Sequence, residues 1–489
     1  MKNSEVIALL ILVRVSSVFL VQTWFVPDEY WQSLEVAHNF AFNYGYLTWE
    51  WVLGIRSYIY PLAIAFVYKI LEFCRLDHAY ALIFVPRILQ ALLSAYADYC
   101  FYKWCGRMKW AIFNITTAWF WYYVCSRTLI NTLETALTMI ALAHFPWDSK
   151  RNLNSTFLWI VSLVCIMRPT AVIQWLPLAI YYAIILKGRL FDVFFRDVLP
   201  FSMVSFMIST VIDSHAHGKF IITGYEFLKV NVFHNVGEWY GTQPWYWYLS
   251  TGLPATLGIQ IVPFILATIN ILRNRHVYQN DLALLGCITF SLGIYSCLTH
   301  KEFRFILPLL PMILKISAGH LARWSYKATP FMVWLVVSVI LVSNIIPALY
   351  LSLIHQRGTL RVMDHLRTLS ESSPHNTSLL FLMPCHSTPL YSHLHKNVTT
   401  RFLTCEPNLY NVSNYQDEAD QFYNNPNEWL RSNYPPTGKL PSHIIAFDSL
   451  LLSITDILSR YKPIYKFFHT NMPSGRVGAF VYIFEIIRT

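Results

Sequence analysis

Two short runs in this chain carry more ionisable groups than their apolar surroundings should tolerate. The first, Val26-Pro27-Asp28-Glu29-Tyr30-Trp31-Gln32-Ser33-Leu34-Glu35, follows a single apolar N-terminal stretch; the second, His300-Lys301-Glu302-Phe303-Arg304-Phe305, separates two later apolar stretches. Ionisable groups at bilayer depth are costly unless they pair, face water or perform chemistry, which makes both runs candidate functional sites. A carboxylate beside an acceptor hydroxyl can take its proton as a new bond forms. Clustered Lys, Arg and His can stabilise a departing anion at a low-dielectric boundary.

The elements that must hold these groups are membrane spans. Of 489 residues, 55% are hydrophobic and only 13% charged, against about 25% charged in soluble domains. Windows of about 20 residues, the length that crosses the bilayer core, place spans near 6–24, 58–73, 81–102, 110–125, 129–145, 157–187, 199–213, 249–272, 282–299, 303–322 and 330–354, about eleven in all. Arg168-Pro169-Thr170 interrupts the sixth. The formal charge of +10 is scattered over short loops such as 103–109, 273–276 and 323–327, the loop bias of polytopic proteins. It forms no basic stripe for tracking phosphates, so nucleic acid is excluded as a partner. The N-terminal stretch, interrupted by Arg14 and without a clean small-residue cleavage site, reads as a retained signal anchor.

After residue 355 the chain turns polar, mixing strand-like runs (378–383, 477–484) with Pro, Asn and Ser-rich turns. The expected organisation is a transmembrane catalytic domain, 1–355, with a first lumenal loop at 25–57, followed by a small α/β lumenal domain, 356–489. Three sequons, at Asn376, Asn397 and Asn411, are usable only on the lumenal side and favour a cytosolic N-terminus and an odd number of crossings. Asn114 opens a sequon inside an apolar span, and Asn154 opens another. Cys385 and Cys405 can bridge if the tail faces an oxidising lumen; the remaining cysteines lie in apolar stretches, where Cys is usually a small buried hydrophobe.

With Pro27 at a helix start and Asp28 in the first turn, the first run can continue as a helix to Phe42. Asp28, Gln32, Glu35 and Asn39 then share a polar face opposite Tyr30, Trp31, Leu34, Ala37, His38 and Ala41, suited to lying flat at the interface. Helix capping alone would also account for Asp28 and Glu29. The loop runs on through Gly45-Tyr46-Leu47-Thr48-Trp49-Glu50-Trp51 to Arg56-Ser57, crowding acids, an Arg and aromatic rings together. Those rings serve equally as interfacial belt residues and as sugar platforms. Arg127, Asn131 and Glu134 fall on one helical face, which Arg168 is a candidate to join, either as site residues or as a buried polar pair between helices. His215-Ala216-His217 is too close-set for a metal-binding helix, no Asp-x-Asp pair is present, and no metal is expected. His386, His393 and His395 read as surface or structural residues.

Val-Pro-Asp-Glu-Tyr-Trp-Gln at 26–32, Gly-Tyr-Leu-Thr-Trp-Glu-Trp at 45–51 and Arg-Ser at 56–57 resemble the first loop of the glycosyltransferase family 22 mannosyltransferases. His300-Lys301-Glu302-Phe303-Arg304-Phe305 resembles that family's second signature, 126–134 a third stretch and Arg168-Pro169-Thr170 a fourth. In the tail, 383–393, 417–420 and 468–470 resemble the branch acting on the glycosylphosphatidylinositol (GPI) anchor, so the likeness spans nearly the whole chain. The resemblance implies an all-α polytopic fold of the C-superfamily glycosyltransferase type. It also implies transfer of a third mannose in α-1,2 linkage to the GPI glycolipid precursor, in the endoplasmic reticulum lumen. The implied donor is dolichyl phosphate mannose, a co-substrate, and no cofactor is implied.

A β-linked donor and an α product imply inversion by one in-line displacement, for which one base suffices. Asp28 is the expected base, with Glu29 its orienter or replacement. His300, Lys301, Glu302 and Arg304, with Arg127, Arg168 and Arg56, are the candidates for the donor phosphate and substrate; Arg304 would supply bidentate geometry and Lys301 field. Gln32, Glu35, Trp49, Glu50, Asn131 and Glu134 are the candidates for contact with the acceptor and sugars. Two alternatives remain at this stage: the same chemistry on a dolichol-linked oligosaccharide, and a polytopic lipid or solute transporter. The tail weighs against the first, and the rim location of the charges, with no inverted half-repeat, against the second.

Overall fold

Long apolar runs become helices, but several are shorter or more broken than their hydropathy suggests. The computed structural model of the protein describes residues 2–147, 155–185, 190–234, 236–373, 376–409, 412–435 and 438–487. Among the described residues, seven helices are long and apolar enough to cross a membrane, and Thr156–Met167 and Ala171–Ile185 are shorter apolar helices. The expected span at 110–125 divides at Ala118 into Lys109–Thr117 and Trp119–Val124. That at 157–187 breaks where Arg168 is extended, since a residue preceding proline is pushed out of the helical region.

The chain forms two compact units. One gathers Met1–Phe19, Leu53–Tyr60 and Arg87–Ala348; the other gathers Leu20–Val52, Pro61–Pro86 and Leu349–Thr489. In the first, the N-terminal helix Asn3–Leu20 is fixed by a buried charge. Arg14 Nε lies 2.5 Å from Asp98 Oδ2, both fully buried, and Arg14 also donates to the Ile115 carbonyl at 2.7 Å. Trp121 Nε1 donates to the other Asp98 oxygen at 2.9 Å, so the pair is satisfied on both sides, as a buried ion pair must be. Asn114 is fully buried.

The second unit is built on a five-stranded sheet, β1 (Ser378–Leu382), β2 (Thr399–Phe402), β3 (His443–Phe447), β4 (Tyr461–Phe468) and β5 (Phe480–Ile486). Its order is β2-β1-β3-β5-β4. β1 pairs in parallel with both β2 and β3, and β5 antiparallel with β3 and β4. β3 is buried on both faces, as a central strand of such a sheet should be. Leu380, Leu382, Phe422, Trp429, Ile444 and Phe484 form its core.

The expected span at 58–73 differs from its sequence reading. Helix Ile59–Phe73 has 15 residues, about 22 Å at 1.5 Å per residue, too short for a core of about 30 Å. Residues before and after it, His38 and Asp77, both meet His395 of the C-terminal region, at 3.0 Å and 3.8 Å. With no apolar span between His38 and the helix, a crossing would put Asp77 on the wrong side. The helix therefore lies on the same side as the sheet, with Phe66 and Phe73 exposed in the manner of an interfacial helix.

Candidate active site

In the second unit, the acidic run begins a helix that differs from the regular one expected. The turn Tyr30–Leu34 is widened, with the Glu35 amide donating to the Tyr30 carbonyl, and regular helix resumes over Glu35–Phe42. A wide turn is frequent at functional sites, and it rotates all that follows by on the order of a quarter turn. Asp28 and Gln32 remain half-buried, whereas Glu35 leaves the expected polar face and becomes fully buried. Its carboxylate accepts from the Leu390 amide at 2.7 Å, the Ser392 amide at 3.2 Å and Ser392 Oγ at 2.5 Å. Burial raises the Glu35 pKa against the lowering effect of these donors. Glu35, proposed from sequence as a sugar contact, is here an anchor for the segment 390–392.

The rest of that helix is held by the same stretch of tail. Trp31 Nε1 donates to the Thr388 carbonyl at 3.1 Å, and its ring meets those of His386 and Phe402 at 4.7 and 5.3 Å. Tyr30 meets His393 edge-on at 5.3 Å. Trp51 Nε1 donates to the Trp31 carbonyl at 3.1 Å, and Gln32 Nε2 donates to the Glu50 carboxylate at 3.0 Å. Glu29 is buried, and its carbonyl accepts from Ser33 Oγ at 2.5 Å; Trp49 and Glu50 are half-buried. Burial drives the His386 pKa down to about 4, and the negative charge of Asp28 opposes that fall.

In the first unit, three motif stretches converge. Glu302 bridges His300 and Arg304: its oxygens accept from Arg304 Nε at 2.6 Å and Nη2 at 2.7 Å and meet His300 Nε2 at 3.0 Å. Burial alone would raise the Glu302 pKa, but Arg304 and His300 overcome it and hold the carboxyl well below its usual range. The same hydrogen bond raises His300. Lys301 Nζ donates to the Gln243 carbonyl at 2.9 Å and to the Leu298 carbonyl. Asn131 Nδ2 donates to the Arg304 carbonyl at 3.0 Å. Arg168 pairs with Glu134 at 2.8 Å, and the Arg168 and Arg304 guanidiniums each lie 5.7 Å from the Phe305 ring. The Arg127 guanidinium, buried, covers the Tyr123 ring at 4.3 Å.

Arg56 lies against the Phe227 ring at 5.7 Å, and its loop is fixed by a residue that sequence reasoning passed over. Asp213, fully buried, accepts from the Tyr58 amide at 2.8 Å, Ser57 Oγ at 3.0 Å, Ser209 Oγ at 3.1 Å and Thr223 Oγ1 at 2.9 Å. The missed signal was an acid at the end of an apolar span. His386, Thr388 and Ser392 were missed for another reason: their partners are hundreds of residues away.

Cys385 and Cys405 are joined in a disulfide with Cα atoms 5.9 Å apart. With His386 they form the one group of three potential metal ligands found among the described residues, and the disulfide commits both sulfurs. Asn376 and Asn397 are exposed; Asn411 and Asn154 lie outside the described residues.

The model of the Alg9-like mannosyltransferase family matches residues 5–395. The chain is 47% identical over 478 residues to GPI mannosyltransferase 3 of Drosophila melanogaster, covering 96% of this chain and 85% of that protein. It is 42% identical over 498 residues to GPI alpha-1,2-mannosyltransferase 3 of Homo sapiens, covering 99% and 87%. ArnT from Cupriavidus metallidurans, solved bound to undecaprenyl phosphate, shares the fold with a TM-score of 0.60 at 10% identity, covering 98% of this chain and 97% of that one. An oligosaccharyltransferase from Archaeoglobus fulgidus shares it at 0.52 and 11% identity, covering 98% and 74%.

Proposed function

Because the chain belongs to the Alg9-like mannosyltransferase family, we propose that it is an inverting α-1,2-mannosyltransferase adding the third mannose to the GPI anchor precursor. The donor is dolichyl phosphate mannose, and transfer takes place on the lumenal face of the endoplasmic reticulum membrane. The observation that carries this reading is identity above 40% along nearly the full chain to relatives bearing that name, with the acidic helix start and the His300-Glu302-Arg304 cluster both formed. The protein is a multi-pass membrane glycosyltransferase.

In the transfer step, the acceptor's 2-hydroxyl oxygen attacks the anomeric carbon from the face opposite the phosphate. Its proton passes to the Asp28 carboxylate as the new C–O bond forms, and the bond to phosphate oxygen breaks with its electron pair leaving on dolichyl phosphate. The phosphate leaves as a stable anion, so the second, acid carboxylate of glycoside hydrolysis is unnecessary. Arg304, aimed by Glu302, and Lys301 stabilise that anion where water is scarce.

Removing the protein from cells and identifying the lipid that accumulates tests the reading. A GPI precursor with two mannoses supports it; a truncated dolichol oligosaccharide refutes it. In the same cells, an Asp28→Asn chain should reach the endoplasmic reticulum yet fail to restore surface GPI-anchored proteins, and full rescue would refute the assignment of the base.

A further inference from the structure

We propose that the disulfide-closed segment between Cys385 and Cys405 is a positioning element for the reaction, fixing Asp28 through Trp31, so that the C-terminal domain acts in the transfer step itself. This rests on the reading of Asp28 as the base. Trp31 lies three residues after Asp28, on the first turn of the same helix, and only 4% of its surface is exposed. Its indole is pinned by polar and apolar contacts alike: the Thr388 carbonyl takes its N–H, His386 and Phe402 face its ring, and Trp51 donates to its carbonyl. One turn later Glu35 takes the amides of Leu390 and Ser392. Successive turns of the acidic helix are therefore gripped by successive residues of one tail segment.

The grip shows a cost that packing alone does not demand. His386 is a non-glycine residue at φ 57°, a left-handed conformation that persists only where the surroundings impose it and that gathers at functional sites. The disulfide lies beside it, with His386 Nδ1 3.7 Å from Cys405 Sγ. Proton abstraction needs reacting atoms held close to contact distance, and misplacement by about 1 Å can cost about a hundredfold in rate. A helix start anchored three residues beyond Asp28 by a cross-linked loop meets that requirement.

The test uses the full chain, purified in nanodiscs, with dolichyl phosphate mannose and a two-mannose GPI acceptor. Trp31→Phe keeps one six-membered aromatic ring and removes the hydrogen bond to Thr388 together with the fused five-membered ring. It should lower kcat about tenfold while leaving KM for both substrates within about twofold, a split that general unfolding would not produce. The paired Cys385→Ser/Cys405→Ser chain should lose at least as much. Asp28→Glu, which moves the carboxylate by one methylene, should already forfeit the benefit of precise placement, so Trp31→Phe added to it should cost little more. Unchanged kcat in Trp31→Phe, or losses that multiply in the Asp28→Glu background, would overturn the positioning role while an inactive Asp28→Asn left the base assignment standing. Wild-type turnover by Asp28→Asn would overturn both.

Discussion

Replacing Arg304 by Lys tests whether the cationic cluster reads a phosphate by geometry or by charge alone. Arg304 commits Nε and Nη2 to the two oxygens of Glu302, at 2.6 and 2.7 Å, so its guanidinium plane is fixed by a fork-to-fork contact. Its carbonyl is held by Asn131 at 3.0 Å, and only 8% of its surface is exposed. A lysine keeps the charge but has one nitrogen in place of three, and cannot bind Glu302 on two edges while presenting another to phosphate. The loss amounts to one charge-assisted hydrogen bond in the transition state, about 1.5–3 kcal/mol, or roughly 10- to 150-fold in kcat/KM for the donor. Varying dolichyl phosphate mannose at saturating acceptor should show that loss, with acceptor KM unchanged. Glu302→Gln should lower the same parameter and add little to Arg304→Lys, because its effect runs through the orientation of Arg304. Donor kcat/KM within about twofold of wild type in Arg304→Lys, or equal losses on donor and acceptor, would refute the phosphate role.

Acid should loosen the second unit. Burial holds His38 at about 3 and His386 and His469 at about 4, all below the ordinary 6.5. Their neutral forms belong to the fold, so stability is full above pH 6.5 and falls as pH drops from there towards 4. At pH 5.5 each should cost about 1.4 kcal/mol, roughly 4 together; a urea midpoint, followed by tryptophan fluorescence, that is the same at pH 7.5 and 5.5 would refute this. In the first unit, Arg14→Leu leaves the fully buried Asp98 without its cation and should cost about 3–5 kcal/mol, whereas Arg14→Leu/Asp98→Leu should recover much of it. Thermal melts of the detergent-purified chains decide, and equal melting of single and double variants would contradict the pairing. Asn397→Gln should remove one glycosidase-sensitive step in gel mobility; an unaltered pattern would argue against a lumenal tail.

Much of the candidate site was legible because its charged residues are close together in sequence. Asp28 and Glu29, and the run from His300 to Arg304, stand out as charges in apolar surroundings, and spacing placed Asn131 beside Glu134 before any coordinates. Arg168 joining Glu134 was also within reach, since a polar break in one span needs a polar partner in another. What could not be read was register. A single wide turn at Tyr30–Leu34 converts Glu35 from a solvent-facing candidate into a buried anchor, and no pattern of polar and apolar residues distinguishes a wide turn from a regular one. The helix Ile59–Phe73 was misread for a related reason: its composition suits a membrane interface and a membrane interior equally, and only the contacts of His38 and Asp77 with His395 decide.

Those contacts also explain why the tail histidines looked unremarkable. His386, His393 and His395 carry no metal spacing and no acidic neighbour in sequence, yet each meets a residue of the first loop about 350 positions away. The helix that begins at Asp28, the proposed base, is about 15 residues long, and a segment of that length does not hold a fixed geometry in isolation. Its order must come from a folded body, and the tail beside β2 supplies contacts of that kind, Phe402 and the Thr388 carbonyl to Trp31 and the Leu390 amide to Glu35. The polar tail thus solves a physical problem created by the chemistry. Asp28, left half-buried, is not fixed by burial of its own side chain; the residues one and two turns beyond it, Trp31 and Glu35, are buried instead against the tail segment 386–402.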